Sequence, residues 1–132
     1  MIEEDYVSFE VAKLLKEKGF DVPVWFYYQN EELKLASWSA WEEDWNHCLI
    51  NDKPSPFISA PTLQMVMKWF RDTHHIDICI CREIDRLGEC FKGYIAVVYK
   101  DDYYKVTIRD VTKYLTYEEA TNKAIKYGLT LI

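Results

Sequence analysis

Apolar side chains recur along this chain with two different periods, and the switches between those periods outline its elements. Between Ala60 and Asp72, Leu63, Val66, Met67 and Phe70 fall at i, i+3, i+4 and i+7, a spacing that gathers them on one face of a central amphipathic helix. Upstream, Val11, Leu14 and Leu15 supply the apolar side of a helix over about Phe9–Lys18. Ser8 is placed to accept a bond from an orphan amide at its start, and Gly19 stops it, with Phe20 folding back onto Leu15. At the other end, Thr116 and Glu119 form a capping box. The helix that follows lines up Tyr117, Ala120, Ala124, Tyr127 and Leu131 on one side.

Between the helices the period falls to two. Val24-Trp25-Phe26-Tyr27-Tyr28, entered through Pro23, is a run of β-branched and aromatic residues and predicts a strand. Asn30-Glu31-Glu32 then turns the chain into a return strand, Leu33-Lys34-Leu35. Ile76 to Cys81 alternates strictly, isoleucines on one face and Asp77, Cys79 and Cys81 on the other. Tyr94 to Tyr99 is apolar on both faces, as a central strand would be. After a turn at Asp101-Asp102, Tyr104, Val106 and Ile108 alternate with Lys105, Thr107 and Arg109. Strands so close in sequence pair antiparallel. The predicted order is α-β-β-α-β-β-β-α, an α+β fold in which three helices pack a mostly antiparallel sheet. One domain over 1–132 is expected, with a Trp-rich loop or insertion at about 38–59 that is either a short helix or irregular, and with 51–56 as plain loop.

Composition changes this picture in two respects. Aromatic residues make up 16% of the chain, with ten tyrosines, six phenylalanines and five tryptophans. Trp25, Trp38, Trp41 and Trp45 lie close together with Tyr27 and Tyr28, and Glu42, Glu43 and Asp44 stand between the last two tryptophans. Such rings either close over the sheet as core or stand exposed as interface anchors. The second respect is charge. A net charge of -6 and the lack of a basic cluster exclude a nucleic-acid binder that works through bulk electrostatics. No segment is apolar for the roughly 18 residues of a membrane span. The acidic start Met1-Ile2-Glu3-Glu4-Asp5 is unlike a signal peptide, so a cytoplasmic location and reduced cysteines are expected.

Candidate chemistry is sparse. His74, His75, Cys79 and Cys81 bring the ligand types zinc prefers, with His47, Cys48 and Cys90 elsewhere. Cys-x-Cys is not the usual knuckle spacing, however, and no second pair matches it. The competing reading makes Cys79 and Cys81 small apolar residues under a helix. A Cys81 nucleophile with His74 or His75 has no surrounding signature, there is no G-x-S-x-G, and the four glycines are scattered. The carboxylates Glu42, Glu43, Asp44, Asp101 and Asp102 are read as solvated surface and turn residues.

The arrangement Phe9-x2-Ala12-x2-Leu15-x3-Gly19-Phe20, followed by Tyr27-Tyr28, Ala60-Pro61-Thr62 with Trp69-Phe70-Arg71, and Tyr117-Glu118-Glu119-Ala120, resembles a group of small uncharacterised proteins encoded by phages and prophages of gut Bacteroidales. The resemblance spans most of the chain and is weakest over 38–59. Its motifs are caps, a glycine stop and core aromatics. It implies a phage or mobile-element origin, within a bacterial host, and transfers no catalytic residue.

The expected function is therefore protein–protein binding without a cofactor or a catalytic residue. Trp38, Trp41 and Trp45 with Glu42, Glu43 and Asp44 would form the contact surface, the rings supplying area and the acids selecting a basic partner. An enzyme or zinc protein built on His74, His75, Cys79 and Cys81 is one alternative, and a sugar-binding module using the same tryptophans is another. A homodimer through an open strand edge is compatible with the pattern.

Overall fold

The computed structural model describes residues 5–36, 41–84, 88, 91–101, 104–109 and 116–132. Trp38, Cys90 and Asp102 lie outside the described residues. The fold is α+β, with three α-helices among the described residues, antiparallel sheets and the predicted order of main elements. The chain divides into two compact units, Met1–Thr62 and Leu63–Ile132.

The first unit opens with α1 (Phe9–Glu17), and its caps follow the sequence. Ser8 Oγ accepts from the Val11 amide at 3.2 Å. At the far end the Phe20 amide donates to Leu15 O and the Gly19 amide to Lys16 O, the paired bonds of a Schellman ending. That ending needs a left-handed residue, and Gly19 supplies it with φ +89°. Phe20 and Leu15 are both fully buried.

Next come β1 (Phe26–Gln29) and β2 (Glu32–Leu35), an antiparallel hairpin with Gln29 opposite Glu32. Asn30 and Glu31 both have positive φ, which gives a two-residue turn whose twist matches the strands. β1 starts later than its sequence suggests because Val24 pairs instead with Glu43, through two backbone bonds of 2.9 and 3.1 Å.

The 41–59 stretch is neither a helix nor a plain loop. One turn at Trp45–His47 leads into a small hairpin, β3 (Leu49–Ile50) and β4 (Lys53–Pro54), around Asn51 and Asp52, which are also left-handed. β5 (Ile58–Ser59) then adds to the free side of β1, giving the order β2-β1-β5.

Both faces of that sheet are lined with rings. On one face Tyr6 packs on Phe26 and Phe9 on Tyr28, with centroids 4.5 and 5.4 Å apart. The Tyr28 hydroxyl donates to Val7 O at 2.6 Å, and burial pushes its pKa up, so it stays a donor. On the other face Tyr27, Trp45 and Phe57 form a triangle with centroid distances of 4.5, 5.2 and 6.3 Å.

The second unit begins with α2 (Leu63–Trp69). Leu63, Val66, Met67 and Phe70 are buried as the spacing requires, and so is Trp69. The helix does not continue regularly to Asp72. Phe70–His74 widen into a π turn, closed by the His75 amide donating to Phe70 O, and His75 itself is left-handed (φ 55°, ψ 40°). This change of direction feeds β6 (Ile76–Ile84), which pairs with β7 (Phe91–Lys100), which in turn pairs with β8 (Tyr104–Arg109). β7 is central, as predicted.

α3 (Tyr117–Leu129) packs against β6 and β7. Thr116 Oγ1 accepts from the Glu119 amide, while its own hydroxyl donates to Glu119 Oε1, both at 3.1 Å. The buried stripe of α3 is Ala120, Thr121, Ala124, Ile125, Gly128 and Leu129, whereas Tyr127 and Leu131 are only half-buried. Close approach explains the small residues, since a Cβ on Gly128 would stand 2.9 Å from the Phe70 ring.

Gly128→Ala should therefore destabilise the protein. Overpacking costs about 1–3 kcal/mol, and the better helix propensity of alanine returns about 0.5–1. Thermal unfolding followed by circular dichroism should show a lower Tm, and an unchanged or higher Tm would mean that the Phe70 ring has room to move.

Candidate functional site

The pattern of the Trp-rich acidic segment predicts one contact surface, and the structure separates its members. Trp45 is 1% exposed. Its indole N–H donates to Val24 O at 2.8 Å, and its ring packs against Tyr27 and Phe57. This corrects its assignment to an exposed binding surface, because a ring held on three sides belongs to the core. Trp41 is 67% exposed and stands at a bend.

The acids divide in the same way. Glu43 is half-buried and its backbone pairs with Val24. Asp44 is committed locally: one carboxylate oxygen accepts from the Asn46 amide at 3.2 Å, and the other lies 2.8 Å from His47 Nδ1. Glu42 alone of the three is exposed.

A buried asparagine holds this region in place. The side chain of Asn46, 6% exposed, donates from Nδ2 to Phe20 O at 3.0 Å and accepts at Oδ1 from the Ser59 amide at 2.9 Å. Nothing in a lone asparagine after a tryptophan marks it for this role.

Around this braced core the first unit exposes further large apolar side chains. Trp25, Leu33, Leu35 and Leu49 join Trp41 in reaching solvent, and all four residues of β2 are exposed. β2 is an edge of its sheet. The unit's charge is lopsided, with 12 Asp and Glu against 5 Lys and Arg, a net of -7, whereas the 10 acidic and 11 basic residues of the second unit leave it at +1.

In the second unit the predicted histidine–cysteine cluster does not assemble. His74 lies edge-on to Trp69, ring centroids 4.6 Å apart. Partial burial, together with the positive charges of Lys100 and His75, holds its pKa below the ordinary histidine value. His75 turns instead toward an open cleft of about 340 Å³ that it lines with Arg71, Asp77 and Asp101, braced by the Asp101 amide donating to His75 O at 2.9 Å. These four residues set both signs of charge side by side and include no serine, threonine, cysteine or lysine.

Cys79 and Cys81 share the exposed face of β6, the face opposite buried Ile76 and Ile78, so they are not packed under a helix. Their sulfurs are 3.9 Å apart, and the contact raises the Cys79 pKa, which keeps it a thiol and a poor nucleophile at neutral pH. Among the described residues, no three His, Cys, Asp or Glu side chains converge to hold a metal ion.

Among the described residues no helix is long and apolar enough to cross a membrane. Compared with family models, with curated proteins and with solved structures, the chain matches none.

The two tryptophans should separate in a denaturation experiment. Trp45→Ala should cost about 3–5 kcal/mol, while Trp41→Ala should stay within about 0.5 kcal/mol of the parent, as urea unfolding would show. Equal losses would place both rings in the core.

His74 makes stability depend on pH. Its folded pKa is depressed, so the unfolded chain takes the proton first, and stability present above about pH 6.5 is lost as pH falls toward the folded value. The difference in unfolding free energy between about pH 7.5 and about pH 5.5 should shrink in His74→Gln. An identical slope in the variant would remove His74 from the linkage.

Proposed function

We propose that this chain works by binding another protein, a basic one, through its first unit. The observation that carries the reading is Trp41, 67% exposed beside exposed Glu42 in a unit of net charge -7. Large rings are costly to leave in water and supply much of the energy at interfaces, while surrounding charge steers the encounter and rejects partners of like sign. The exposed edge strand β2, with Leu33 and Leu35, offers a second element for contact. Such an acidic unit repels a phosphate backbone, so nucleic acid is the least suited of the ligands that stack on aromatic rings. The resemblance to phage and prophage proteins extends the proposal to a partner met inside an infected bacterial host.

The contact surface proposed here is narrower than the sequence suggested. It keeps Trp41 and Glu42, drops Trp45, and gives Asp44 and Glu43 structural work. Full-length protein immobilised in host lysate should enrich a partner of basic composition, identified by mass spectrometry. Trp41→Ala should weaken that complex by about 30-fold, equivalent to a hot spot of about 2 kcal/mol. Rising salt should weaken it further. Unaltered affinity in folded Trp41→Ala and in Leu33→Ser/Leu35→Ser would overturn the reading.

A further inference from the structure

We propose that Cys79 and Cys81 form a two-thiolate chelate for a soft, thiophilic cation of the d10 class, Cu(I) or Zn²⁺. The residues sit two apart on one face of β6, both exposed, with Sγ···Sγ at 3.9 Å. A metal–sulfur bond of about 2.3 Å sets two thiolates about 3.8 Å apart around a tetrahedral ion and about 4.0 Å around a trigonal one. The observed spacing lies between these values, so the pair accepts an ion without moving the strand.

The same geometry disfavours a disulfide. Two residues along a strand advance about 6.7 Å, so the two Cβ atoms stand about that far apart. A disulfide requires about 3.5–4.5 Å between Cβ atoms, and β6 is held in register by β7 along its length. Closing the bond would require bending a paired strand, whereas chelation uses rotamers already in place.

Asp77, the next residue along on that exposed face, adds negative charge that draws a cation toward the thiols. His74 is turned against Trp69 and His75 toward the cleft, so neither contributes a ligand. The remaining coordination positions face solvent and are filled by water or an incoming ligand. Binding replaces the two S–H protons with the ion, and no electrons are transferred.

Titration of the reduced full-length chain with Cd²⁺, the spectroscopic stand-in for these ions, tests the proposal. One Cd²⁺ per chain should produce a saturable thiolate-to-metal charge-transfer band, with release of two protons. Cys79→Ser and Cys81→Ser should each abolish the band while leaving the circular dichroism spectrum intact, because both side chains are exposed. Cys48→Ser/Cys90→Ser and His74→Ala/His75→Ala should retain it. Absence of a saturable band, its survival in Cys79→Ser/Cys81→Ser, or its loss in the histidine variant would each overturn the assignment.

Discussion

The first unit depends on one buried amide. Asn46 ties the carbonyl of Phe20, where α1 has just ended, to the backbone amide of Ser59 in β5. A primary amide is suited to this because it donates and accepts at once, and burial makes each bond costly to lose. With Asn46 fixed, the neighbouring Trp45 is presented to Tyr27 and Phe57, and its indole N–H meets Val24 O. The hairpin, the added strand and the helix cap thus share a polar brace inside an aromatic core. That brace lets a stretch of short strands and turns hold its shape with little regular secondary structure.

In the second unit the comparable constraint is a change of direction. The π turn at Phe70–His74 and left-handed His75 end the helix within one turn and aim the chain into the sheet. Phe70 sits at the start of that turn, against Gly128, so the absence of a side chain on α3 sets how closely helix and turn approach. The same reversal parts the two histidines, sending His74 to Trp69 and His75 to the polar cleft.

The functional features divide between the units by chemistry. The first concentrates negative charge and exposed rings, the features on which the proposed binding of a basic protein rests. The second is nearly neutral and presents two exposed thiols on one face of β6. Exposed apolar residues on a strand edge invite pairing with another chain, which folded proteins ordinarily suppress, and β2 carries Leu33 and Leu35 in that position.

Local chemistry was legible in the sequence wherever one residue type settles a backbone problem. Ser8, Gly19 and Thr116 marked helix ends, and the periods of 3.6 and 2 located the helices and the long strands, because these signals act within a few residues. The fold class and the shared face of Cys79 and Cys81 followed from the same patterns. The fate of each tryptophan did not, since Trp41 and Trp45 sit in similar sequence surroundings and differ only in what distant residues bring to them. Asn46 and the polar cleft were equally invisible. Each depends on partners far apart in the chain, so only tertiary structure, by setting those distances, decided which rings became core and which stayed exposed.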